Sequence, residues 1–290
     1  MSQKRSIIGL IPLINLLENH GHNPEPLLEK HQISLDTMVG SAVIEPEVEL
    51  DIVADVVALL DEPLLGLEVG GQINFTSYGM LAMLLMTAPS LLDACRIGVQ
   101  FQSLSLLFSR LTLHVEKDWI ELRYTLPECH GDIKNFIADR DLVGVYVLIG
   151  EILPPQEVTK LSYGTARTKP KGLLLKRYLQ SIDFEPVFDQ PYNWFRFPMD
   201  IARKEIKNSN SLVHKVYLIQ AYEQMGKFFP DKDDTIAQVR QVVAGYESNF
   251  PTLPEIAKTL GSSDRTLRRK LKDSGVSYQG ILDEHKKKRA

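Results

Sequence analysis

Between Thr252 and Gly275 the chain reads TLPEIAKTLGSSDRTLRRKLKDSG, a stretch with few solutions other than two short helices folded across a tight turn. Thr252 and Glu255 stand at capping-box spacing, where the hydroxyl can bond the backbone N–H of Glu255 while the carboxylate reaches back to Thr252. Leu253, Ile256, Ala257 and Leu260 then recur at helical intervals, and Gly261 supplies the freedom a sharp exit requires. Ser262 or Ser263 can cap the helix that follows.

In that second helix, at about 100° per residue, Arg265, Arg268, Arg269 and Lys272 fall in one stripe roughly 100° wide, with Leu267 and Leu271 about 110° to 150° from its centre. One face is basic and the other is core. A capped helix, a glycine turn and a helix with outward arginines in its first turns make the helix-turn-helix pattern, whose second helix enters the major groove of double-stranded DNA. Arginine suits that task because its planar fork donates twice to guanine O6 and N7 and stays charged near phosphates. A solvated charged face is the competing reading for any basic helix, and the cap, turn and apolar seam occurring together argue against it here.

The segment GSSDRTLRRKLKDSGVSYQGILDEHKKKRA resembles the first of two helix-turn-helix units in AraC-family transcription regulators, over roughly Leu253 to Ala290. The resemblance implies that Arg265, Arg268 and Arg269 face the bases; Ser263, Lys272 and the amides near the helix start are further candidates for phosphates, contacts that position without specifying. In that family a linker helix leads to a second unit, and this sequence stops at Ala290 inside what resembles that linker. Leu10 to Pro198 is similar, more weakly, to the arabinose-binding-like effector domain of one AraC-type subgroup, through DEPLLGLEVG, FTSYGMLAMLLMTAPSLLDACR and FEPVFDQPYNWFRFP. That similarity implies a mixed α and β ligand domain without implying a sugar.

Charge is divided between the two regions. The whole chain carries a formal −4, yet from Pro251 to Ala290 there are ten Lys and Arg against five acids, leaving −9 upstream. An acidic body with a basic tail predicts that only the tail approaches a polyanion, with salt-sensitive affinity. Cys95 and Cys129 are too few for a disulfide framework and lack metal spacing, which points to two thiols in a reducing compartment. Lys4 and Arg5 before an apolar run imitate a signal peptide, but Pro12, Asn15, Glu18 and Asn19 spoil it. No segment approaches the roughly 18 to 20 apolar residues of a membrane span, so the expected location is cytoplasmic, in a bacterial-type cell.

Taken in order, Ser6 to Asn19, a segment opened by Asn23, and Glu47 to Leu60 read as helices. Phe75 to Ser109 reads as two apolar helices parted at Ala88-Pro89-Ser90, either core or the lining of a ligand cavity. LTLHVEKDWIELRYTL alternates as a β-hairpin turning at Lys117-Asp118, and Asp132 to Leu153 is helical with Arg140 placed to reach inward. Glu157 to Tyr163 and Glu185 to Phe197 read as strands around a helix from Lys171 to Ser181, and Met199 to Lys207 and Ser211 to Phe229 as helices. The expected fold is therefore α+β: a sensing domain over 1–229, a linker at 230–234, and an all-α DNA-binding unit over 235–290.

No nucleophile elbow, phosphate loop, zinc-protease motif or dinucleotide fingerprint is present. His20 and His22 read as a solvated helix end rather than a metal site, and Lys169, Lys171, Lys176 and Arg177 as a solvated helix face. The reading is a non-enzymatic, cofactor-free, ligand-responsive transcription regulator, with a homodimer as its possible working form. Met83, Arg96, Phe101 and Arg110 are the candidates for holding a small apolar or acidic effector. The rival is a ligand- or partner-binding protein whose tail does not bind DNA specifically.

Overall fold

The computed structural model describes residues 5–37, 42–228, 235–244, 250–260 and 262–287; Phe229, the expected linker 230–234, Gly261, Lys288 and Arg289 lie outside them. Arg5–Ser6 (β1) precedes Ile11–Asn19 (α1), which starts with Pro12 in its first turn, where a missing N–H is harmless. Glu25–Lys30 (α2) is opened by Asn23, whose Oδ1 accepts from the Glu25 amide at 3.0 Å. Val43–Ile44 (β2) pairs antiparallel with β1. Pro46–Leu60 (α3) ends on Asp61 at φ 46°, and Leu65–Gln72 (α4) follows.

The apolar region departs from its expected form in two places. Phe75–Tyr78 (α5) and Met80–Met86 (α6) replace one continuous helix because Gly79 takes φ 54° between them. Leu91–Gln100 (α7) is capped by Ser90 but stops well short of Phe108. There Gln102 turns its amide to the backbone of Leu111, accepting from the Leu111 N–H at 2.9 Å, and the chain tightens into a 3₁₀ turn.

Arg110–Val115 (β3) and Trp119–Thr125 (β4) form the hairpin that alternation predicts, in the register Val115 opposite Ile120. Gly131–Ile152 (α8) comes next. The strand expected over Glu157 to Tyr163 is mostly absent: Pro155 opens a helical turn, Pro155–Val158 (α9), and only Ser162–Gly164 (β5) is extended. Gly172–Gln180 (α10) leads to Asn193–Pro198 (β6), shorter than expected because Asp189 at φ 58° interrupts the run and Val187 makes only an isolated bridge to Gly164. Met199–Ala202 (α11) is likewise shorter than the helix read to Lys207, and Ser211–Phe228 (α12) completes the body.

The four main strands order as β3-β4-β6-β5, all antiparallel. One face turns Leu113, Ile120, Leu122, Tyr124, Phe195 and Phe197 into the core. On the other face Glu121 is buried between Arg123 and Arg196, and the Arg196 guanidinium lies over Trp119 and Trp194. Helix α8 is the body's axis. Gly66 and Gly70 let α4 approach it so closely that a Cβ added at Gly66 would sit 2.3 Å from the Phe136 carbonyl oxygen.

Asp139, Arg140 and Asp141, in the middle of α8, are all fully buried. Arg140 points inward as expected, pairs with Asp141 at 2.6 Å and donates to the Leu106 carbonyl at 2.8 Å. Asp139 binds Arg167 and accepts from the Tyr178 hydroxyl at 3.0 Å. These bonds tie the loops before β3 and after β5 to the helix, as buried charges require. The fold is α+β.

Candidate nucleic-acid interface

Among the described residues, four helices follow α12: Thr235–Ala244 (α13), Leu253–Thr259 (α14), Asp264–Asp273 (α15) and Tyr278–Lys287 (α16). Local chemistry sets the start of each half of the helix pair. Glu255 Oε2 accepts from the Thr252 amide at 2.7 Å and from its hydroxyl at 2.8 Å, and the backbone bond is the main reason its carboxyl is held below the usual range. Ser263, rather than Ser262, caps α15, its Oγ accepting from the Thr266 amide at 3.1 Å.

Leu267 and Leu271 are 1% and 3% exposed and pack with Leu253, Ile256, Val239 and Val243. Helix α13 therefore braces α15 from behind. It is not part of the helix pair expected from Thr252 to Gly275, although Ile236, Val239, Val242 and Val243 recur at helical spacing within it. Tyr278 ties α16 to this assembly through a hydrogen bond from its hydroxyl to the Pro251 carbonyl.

With the leucines turned inward, Arg265, Arg268, Arg269 and Lys272 are all exposed. The stripe has two rows. Arg268 and Lys272 border an open groove shared with Thr252, Val276 and Tyr278, and the Arg268 Nε is held by Asp264 Oδ2 at 2.9 Å. Arg265 and Arg269 form the other row, one helical turn apart. Among the described residues neither has an ion-pair partner, so both forks are available. Ser263 is exposed, but its hydroxyl is occupied by capping and a contact of 2.8 Å to Thr266 Oγ1; its contribution to an anion would be positional. The arrangement presents fixed cations and a helix N-terminus to a polyanion.

The upstream body supplies the decisive comparison. Residues 21–206 match the model of the arabinose-binding domain of AraC transcription regulators, amino-terminal part. The chain belongs to this family. Similar full-length proteins are transcription regulators: the ornithine utilization regulator of Pseudomonas aeruginosa is 26% identical over 80% of this chain and 68% of its own length. An HTH-type regulator of Mycobacterium tuberculosis is 22% identical over 91% and 85% respectively. The crystal structure of the regulator CdpR from Pseudomonas aeruginosa shares the fold, with a TM-score of 0.57 at 19% identity, covering 97% of this chain and 84% of that one. No helix among the described residues is long and apolar enough to cross a membrane.

Within this arabinose-binding-type body, the four residues read as effector candidates do not form a site together. Met83 is exposed on α6. Arg96 pairs with Asp93 at 3.4 Å on the surface of α7. Phe101 is wholly buried with its ring edge-on to Tyr222, a core role. Arg110 is exposed at the start of β3. An apolar cavity of this domain lies deeper, between α7, α8 and the sheet, and none of the four lines it.

Proposed function

We propose that this protein is a ligand-responsive, DNA-binding transcription regulator acting in the cytoplasm of a bacterial-type cell. The body, 1–229, senses a small apolar or acidic molecule, and the unit over 235–290 reads double-stranded DNA. Helix α15 enters the major groove, with Arg265, Arg268 and Arg269 meeting base edges and Lys272 and the capped amino end near Ser263 meeting phosphates. The observation that carries this reading is the exposure of those arginines on a helix whose opposite side is locked to α14 and α13. The uneven charge, −9 on the body against +5 from Pro251 onward, keeps the body away from the duplex.

One such helix buries little interface, and two copies roughly double the phosphate contacts and hence the salt dependence. Helix α12 offers a surface for pairing: Leu212, Val216 and Ile219, at helical spacing, are 73%, 49% and 52% exposed. A homodimer through α12 completes the reading. The test is selection of bound duplexes from a random pool. Enrichment of a common motif, lost in the Arg265→Ala, Arg269→Ala double variant while the fold persists, is the expected result. Equal retention of all sequences by the intact chain would end the proposal.

A further inference from the structure

Behind α7 lies a cavity of about 70 Å³ whose lining contains no charged residue. Four of its lining residues carry a polar side-chain group: Tyr78, Cys95, Ser105 and Tyr124. The Ser105 hydroxyl already donates to the Gln102 carbonyl at 2.7 Å. The hydroxyls of Tyr78 and Tyr124 are buried and, among the described residues, have no hydrogen-bond partner. A buried donor without an acceptor is unfavourable, and here two occur on one apolar cavity. Burial also pushes both phenols and the Cys95 thiol up, the thiol to about 12, so all three are neutral donors. The cavity thus asks for an acceptor and offers no counter-charge to a carboxylate or an ammonium.

One wall is thin. Leu91, Ala94, Cys95 and Gly98 line the cavity along a single stripe of α7. Arg96 projects about 150° from that stripe, and its charge acts on Glu255, the cap of α14. Helix α7 also touches α13, the brace of the DNA-binding unit. Opposite, the cavity is closed by the hydrogen-bonded sheet and α8. A cavity that holds benzene has roughly 150 Å³, about twice the space present, so an occupant of that size displaces the wall that yields.

We infer that this cavity binds a small uncharged molecule, mostly apolar and carrying one or two oxygen acceptors, and that α7 conveys its occupancy to the DNA-binding unit. The inference rests on the regulator reading and deepens it by naming the site and the ligand class. It narrows the effector from apolar or acidic to uncharged, and places it on Tyr78 and Tyr124 rather than on surface arginines. A ligand that moved nothing would shift no equilibrium; the smallness of the cavity is what makes binding and wall movement one event.

The test uses the full chain, melting temperature as the binding readout and mobility shift on a selected duplex as the DNA readout. Cyclohexanone and 2-heptanone are the neutral probes, with cyclohexanecarboxylate and ornithine as charged ones. The ketones should raise the melting temperature and change duplex affinity, and the charged compounds should do neither. Gly98→Leu, whose added Cβ would lie 3.9 Å from Leu85 Cδ2 and whose side chain fills the cavity, should abolish the ketone effect. Tyr124→Phe should melt no lower than the parent yet bind ketones roughly tenfold more weakly, the worth of one buried hydrogen bond. No ketone effect on the parent, an undiminished effect in Gly98→Leu, or equal stabilisation by the carboxylate would overturn the site. Stabilisation without any change in duplex affinity would overturn the α7 relay. Lost DNA binding with ketone binding intact would sink the regulator reading alone, and the converse this inference alone.

Discussion

Replacing Gly66 by alanine isolates the contact on which the body's architecture turns. The new methyl would lie 2.3 Å from the Phe136 carbonyl oxygen and 2.8 Å from Asp139 Cβ. The first of these is backbone inside a 22-residue helix and cannot swing aside. Restoring ordinary contact requires α4 and α8 to part by about 1 Å, and a gap of that size forfeits a quarter to a half of the dispersion attraction across the seam. Leu65, Val69, Phe136 and Ile137 share that seam. Overpacking of this kind costs about 3 kcal/mol, which for a domain of this size lowers the melting temperature by ~6–12 °C. Gly71, next on the same helix, has nothing within 4 Å of an added Cβ; Gly71→Ala should gain roughly 1 kcal/mol of helix propensity and melt a few degrees higher. Thermal melts followed by circular dichroism compare the two directly. A Gly66→Ala protein melting with the parent would refute the close-approach argument, whatever Gly71→Ala does.

Arg269→Ala should leave the melting temperature unchanged and weaken duplex binding ~5- to 150-fold, with specificity relaxed at one base pair. Lys272→Ala should instead reduce the slope of log affinity against log salt by about 0.9 without altering sequence preference, read by fluorescence titration at several salt concentrations. Val216→Glu, placed mid-face on α12, should convert a dimer to a monomer in analytical ultracentrifugation with secondary structure intact; a parent chain that is monomeric at all concentrations would contradict the pairing surface. His214 on α12 contacts Thr87 at 3.3 Å, and burial is the leading cause of its lowered pKa. The folded chain therefore holds this proton less tightly than the unfolded one, so stability is present above the unfolded value of about 6.5 and falls as pH drops through the folded value. His214→Gln should flatten that part of the pH–melting profile.

Local signals in this chain were legible because they depend on neighbours within one turn. The Thr252–Glu255 cap, the Lys117-Asp118 turn and the split between Leu267 and Arg269 all follow from spacing alone. The sites of misreading are those where distant residues decide. Gly79 breaks a helix that apolar periodicity would continue, and Pro155 helps turn an expected strand into a helical turn. Asp139 and Asp141 look like ordinary polar positions until Arg167, Tyr178 and Arg140 close around them. The run from Phe75 to Ser109 reads either as core or as the lining of a ligand cavity, and part of it lines the cavity. Tyr124, however, joins that lining from strand β4 of the sheet. No period along the chain links Tyr78 to Tyr124, and composition favoured the arginines that stay on the surface.

The apolar cluster of the body runs without a break through α13 into the helices that carry the arginines. A chimaera that transplanted those helices onto a foreign sensor would carry an uncovered greasy patch with it and would need a counterpart of α7 to shield it. Swapping specificity between such regulators is therefore a matter of matching the joint, and exchanging only the outward side chains of α15 leaves that joint untouched.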